Sequence, residues 1–99
     1  MNIKQKIEEA AIELSNVPAT FAGAMKRVMR ESQKHLTVNE IFIAIQTRWP
    51  ALIEERDARN VSMNVAYWAS KSHVEKHGMG AMATFEVKNH EFFKETEEA

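Results

Sequence analysis

Asn64, Tyr67 and Lys71 recur at steps of three and four within VSMNVAYWASK, residues 61–71. On a helix that spacing gathers them into one stripe. The three side chains together offer the chemistry of nucleic-acid contact. An asparagine amide makes a two-point contact with adenine in the major groove. Lysine and tyrosine bond phosphate oxygens, which sets register but not sequence. Arg56, Arg59 and Asn60 lie just ahead of the stripe, within reach of a backbone, and Lys76 and His77 lie just behind it. Ser62 stands at the expected start of this helix, as its cap and at its DNA-facing end. Lys26 and Arg30, with Arg27 and Lys34, form an earlier basic group suited to general phosphate attraction. Two other readings compete: these residues are the solvated faces of core helices, or the same face meets a protein.

Other chemistry finds less support. His73 and His77 stand four apart, which on a helix could hold one metal ion. On a strand the same pair lies about 13 Å apart, and His35 and His90 are remote in sequence. No metal and no cofactor are therefore expected. The chain has no glycine-rich phosphate loop, no nucleophile elbow and no HExxH, and Asp57 is its one aspartate. An enzyme is not expected. Trp49 and Trp68 fall on apolar stripes and read as core rather than as base-stacking platforms.

Size and charge bound the answer. The 99 residues make one domain the default. Hydrophobic content of 44% against 27% charged is that of a soluble globular chain. No apolar run is long enough to span a membrane. The start, MNIKQKIEEAAIEL, has no long apolar core and is expected not to be a signal peptide. The absence of cysteine removes disulfides and thiolate ligands and fits a cytoplasmic setting. The net charge of -1 hides an uneven distribution. Residues 20–88 carry ten Lys and Arg against seven Asp and Glu, while residues 89–99 carry one lysine against four glutamates. A mildly basic middle sits between acidic ends.

The elements that must position these residues follow from period and caps. Asn2 and Gln5 have capping-box spacing, and Ile3, Ile7, Ala10 or Ala11 and Leu14 share a face, predicting an amphipathic helix over 3–15. Thr20 caps a helix predicted over 21–34, with Phe21, Ala24 or Met25, Val28 or Met29 and Ser32 sharing a face. Thr37 and Glu40 form a capping box before a helix over 38–49 that Pro50 ends. Residues 51–59 read as a short helix or a loop. Ser62 then caps a helix whose buried stripe is Val61, Val65, Trp68, Ala69 and Ser72. HVEK and ATFEV alternate as strands about the turn HGMG, and NHEFFKETEEA is an acidic tail that either docks or frays.

This order resembles the winged helix-turn-helix superfamily. AMKRVMRESQKHLTVNEIFIAIQTRW is similar to the first two core helices, VSMNVAYWASK to the recognition helix and HVEKHGMGAMATFEV to the wing. The spacer after RW, the short third helix and the closing G…TFEV strand are most similar to HARE-type winged helix domains. The resemblance implies a mainly α fold with a small β-hairpin, that is, an α+β winged helix with an extra N-terminal helix. Its divisions are an N-terminal amphipathic helix at 1–19, a winged-helix domain at 20–88 and an acidic C-terminal tail at 89–99. It also implies a small bacterial or phage transcriptional regulator that binds double-stranded DNA. The expected contacts are Arg59, Asn60, Ser62, Asn64, Tyr67, Lys71, Lys76 and His77, with Lys26 and Arg30 adding attraction. The alternative is a protein-interaction module that binds or inhibits a larger nucleic-acid-processing or defence complex. The acidic ends and a wing tip without arginine favour that alternative. Ile3, Ile7 and Leu14 either pair two copies into a homodimer or pack across their own domain.

Overall fold

A computed structural model describes Pro18 and residues 20–94. The helix expected over 3–15, with Ile3, Ile7 and Leu14, lies outside the described residues, as does the end of the acidic tail. The remainder is mainly helical with one small antiparallel sheet, an α+β fold.

Helix α1 spans Phe21–Glu31. The Thr20 hydroxyl accepts a hydrogen bond from the Gly23 amide at 3.0 Å, satisfying one of the unpaired donors at the helix start. Phe21, Ala24, Met25, Val28 and Met29 form its buried face. The helix stops three residues earlier than the periodicity predicts, at Glu31 rather than Lys34. Ser32 causes this: its Oγ donates to the Lys34 carbonyl at 2.8 Å and accepts from the Lys34 amide at 3.2 Å. This local turn competes with helix continuation.

The chain then runs through strand β1, Leu36–Thr37, directly into helix α2, Val38–Arg48. The predicted capping box is complete. Glu40 donates its amide to Thr37 Oγ1 at 3.1 Å, and Thr37 donates its amide to Glu40 Oε1 at 2.9 Å. Ile41 and Ile45 point into the core. Pro50–Leu52 form a 3-10 turn, and helix α3 follows at Ala58–Ser70. Its cap is Asp57, not Ser62. The Asp57 carboxylate accepts from the Arg59 amide at 2.9 Å, while the Asp57 amide donates to Asn60 Oδ1 at 2.8 Å. Residues 51–59 thus divide between a turn and the first residues of α3.

Helix α3 ends in a Schellman turn. The Ser72 amide donates to the Ala69 carbonyl at 3.1 Å and the His73 amide to the Trp68 carbonyl at 2.9 Å. Ser72 takes the left-handed conformation this needs, with φ 64°. It is therefore an exposed turn residue rather than the end of the buried stripe. Strands β2, Val74–His77, and β3, Thr84–Val87, form the hairpin. Gly78 at φ 88° and Gly80 at φ 68° supply the turn geometry that the sequence pattern predicts. Strand β1 pairs with β3 on its other side, giving the order β1-β3-β2.

A short helix α4, His90–Lys94, closes the molecule. Asn89 Oδ1 accepts from the Phe92 amide at 3.2 Å. Phe93 is 1% exposed and meets Trp68 edge to face at 5.4 Å. Phe92 stacks on His73, with ring centroids 3.9 Å apart. This part of the tail docks. Phe21, Met25, Ile41, Ile45, Val61, Val65, Trp68, Phe85 and Phe93 share one core, each contributing about 1.5–3 kcal/mol by burial. Among the described residues no helix is long and apolar enough to cross a membrane.

Candidate nucleic-acid interface

The buried positions Val61, Val65 and Trp68 fix the rotation of α3. What remains outside is Arg59, Ser62, Met63, Ala66, Tyr67, Ser70 and Lys71. Tyr67 is 61% exposed. Lys71 Nζ lies 5.7 Å from the Tyr67 ring centroid, so its charge rides above the aromatic face.

The predicted stripe keeps to one side of α3, but its members are not equally free. Asn64 is half-buried, and its Nδ2 donates to Met25 Sδ of α1 at 3.3 Å. It sits on the side of α3 that meets Met25 of α1, about a sixth of a turn from Tyr67. Asn60 is also half-buried, and its carbonyl oxygen is held by the cap at Asp57. Arg56 lies over the Phe21 ring at 5.4 Å. Its position seals the edge of the core.

Ser62 is exposed on the opposite flank of α3 and has a surface role instead of a capping one. There the first turn of α2 and the hairpin approach it. Val38, Asn39, Ser62, Lys76, Gly80 and Ala81 line a shallow concavity of about 380 Å³, part polar and part apolar. The structure therefore brings Ser62 and Lys76 together and adds Asn39. The sequence signal for Asn39 was its polar side chain at the second position of a strongly capped helix. Arg59, Lys71 and Lys76 are exposed, and no carboxylate among the described residues pairs with them.

Strand alternation separates Lys76 from His77. Lys76 lies opposite Phe85 on the inner face of the sheet, and His77 opposite Thr84 on the outer face. The two cannot serve one groove. His77 Nε2 instead lies 2.9 Å from Glu86 Oε1. That hydrogen bond holds the Glu86 carboxyl below the usual carboxylate range, with Lys88 and His35 adding to the effect.

Lys26 and Arg30 also have other work. Lys26 Nζ sits 4.0 Å above the Phe92 ring, and Arg30 donates to the Phe93 carbonyl at 2.9 Å. A cation near the last carbonyls of a helix is favourable, so the two residues fasten α4 to α1. Between α1, β3 and α4 lies an apolar groove of about 310 Å³, floored by Met29, Leu36, Phe85, Val87 and Phe93. No residue of α3 lines it.

Compared with known proteins, the chain matches no family model, no curated protein and no solved structure, so the reading of this surface rests on its own geometry.

Proposed function

We propose that the chain is a small DNA-binding protein of winged-helix type, acting in the cytoplasm as a bacterial or phage transcriptional regulator. The observation that supports this reading is the convergence of Ser62 on α3, Asn39 on α2 and Lys76 on the hairpin, with Arg59, Tyr67 and Lys71 exposed elsewhere around the same helix. The helix–strand–helix–helix–hairpin order supports it. In this reading α3 enters the major groove. Ser62 and Tyr67 bond backbone or base edges through hydroxyls. Arg59 and Lys71 meet phosphates on either side of the helix, and Lys76 holds the strand beside the hairpin. Three cations give general affinity of modest strength, with sequence preference left to α3.

A second reading, a protein-interaction module on the same scaffold, draws on different residues. Met63 is 63% exposed and Ile43 57% exposed, and Tyr67 adds an aromatic surface beside Met63. Aromatic and methionine side chains are enriched at protein interfaces. Fluorescence anisotropy with a random duplex at low salt separates the two. The DNA reading expects binding that the triple variant Arg59→Glu, Lys71→Glu, Lys76→Glu abolishes and Met63→Ala leaves unchanged. No binding by the parent chain, or equal binding by the triple variant, rejects it.

A further inference from the structure

We infer that the outer face of the sheet carries a transition-metal site, formed by His35, His77 and Glu86 and suited to Zn²⁺. The register creates it. Leu36 pairs with Phe85, which sets His35, one residue earlier, beside Glu86. Glu75 pairs with Glu86 and His77 with Thr84, which sets His77 diagonal to Glu86 on the same face. Residues from three separate strands or their flanks thus converge. One ligand atom from each of the three residues lies within 4.8 Å of the other two. His77 Nε2 is 2.9 Å from Glu86 Oε1, and His35 Nε2 is 4.0 Å from the same oxygen. The two imidazoles lie parallel, with centroids 5.0 Å apart and planes 9° apart, so both present Nε2 to one carboxylate.

Two imidazole nitrogens and a carboxylate oxygen suit Zn²⁺ and its neighbours in the first transition row rather than Ca²⁺ or Mg²⁺, which take oxygen ligands. Bond lengths of about 2.0–2.2 Å place neighbouring ligand atoms in a tetrahedral site about 3.3–3.6 Å apart. The side chains reach that spacing by small rotations, since they are 34–48% exposed. Glu75 Oε2, 3.5 Å from His77 Nε2, stands ready as a fourth ligand, with water the other occupant. Lys88 Nζ lies 3.8 Å from Glu75 and 3.9 Å from Glu86 and competes with the ion for both carboxylates. A bound ion ties the approach to β1 to both strands of the hairpin and fixes the hairpin on the helical core. This site is independent of the DNA reading, because it lies on the face of the sheet opposite Lys76.

The test uses the untagged full chain, stripped with chelator, titrated with ZnCl₂ by calorimetry and with CoCl₂ by visible absorption. One ion per chain is expected, with the intense Co²⁺ bands of a low-coordinate site. His35→Gln, His77→Gln and Glu86→Gln each weaken Zn²⁺ binding by at least about tenfold. His73→Gln, a histidine outside the cluster, leaves it unchanged, and Lys88→Gln tightens it. Zn²⁺ at about a hundred times its dissociation constant raises the melting temperature by about 10 °C or more. No uptake by the parent chain at millimolar Zn²⁺ overturns the site. So does uptake indifferent to His35→Gln and His77→Gln, or lost equally in His73→Gln.

Discussion

Replacing Phe93 by alanine tests whether residues 90–94 are part of the fold. The ring is 1% exposed, edge to face with Trp68 at 5.4 Å and with Phe92 at 5.4 Å. Truncating a phenylalanine so placed costs about 3–5 kcal/mol, through lost transfer energy and the cavity left beside Trp68. The aromatic pairing contributes about 0.5–1.5 kcal/mol of that sum. A domain of this size has about 5–15 kcal/mol in all, so the variant loses between about a fifth of its stability and all of it. Its melting temperature falls by roughly 12–40 °C. Urea unfolding followed by tryptophan fluorescence measures this, with Trp68 reporting from beside the substituted ring. Phe92→Ala is the comparison: that ring is half-buried, stacks on His73 and lies under Lys26, and its loss costs about 1–2 kcal/mol. A loss below about 1 kcal/mol for Phe93→Ala would refute the docking of α4.

Three further outcomes follow from local geometry. Asp57→Ala removes the α3 cap and costs about 1 kcal/mol, while Ser62→Ala costs little; denaturant midpoints and amide exchange at Arg59 separate the two cap assignments. Ser72→Gly relieves the left-handed serine at φ 64° and stabilises by up to about 1 kcal/mol, whereas a melting temperature that falls contradicts the Schellman assignment. Glu40 is held below the usual carboxylate range by the Thr37 amide first and by Lys34 second. A lowered folded-state value contributes stability above the ordinary glutamate range and loses it as pH falls through the folded value. The stability gap between the parent and Glu40→Gln should therefore hold at neutral pH and close in acid; the same gap at about pH 3 and pH 7 excludes this role.

Much of the helical framework was legible because its signals are local. Thr37 and Glu40 are three residues apart, and both bonds of their box form. Val61, Val65 and Trp68 repeat at helical spacing and are buried as a stripe. What escaped the sequence is set by contacts between distant residues. Strand β1 has two residues and no periodicity, and it exists through Phe85 and Thr84. Asp57 carries no ordinary capping-box signature, because its partner in the box is Asn60, not a glutamate or glutamine. Phe92 and Phe93 lie in an acidic stretch, and their burial depends on Trp68 and on Lys26 and Arg30 of α1. For the same reason those two cations serve α4 rather than the exposed face of α3. Asn64 is half-buried beside the exposed Tyr67 and Lys71 because its edge of the helix face meets Met25 of α1. His35 and Glu86 became neighbours of His77 only through strand register.

The salt dependence of duplex affinity reports whether Arg59, Lys71 and Lys76 neutralise phosphates, as proposed. Three neutralised phosphates give a slope of about -2.7 in log affinity against log salt, a fall of roughly fortyfold between 50 and 200 mM. Lys76→Gln should reduce the slope by about 0.9. A slope near zero, or one that Lys76→Gln leaves unaltered, rules out phosphate binding by these three cations.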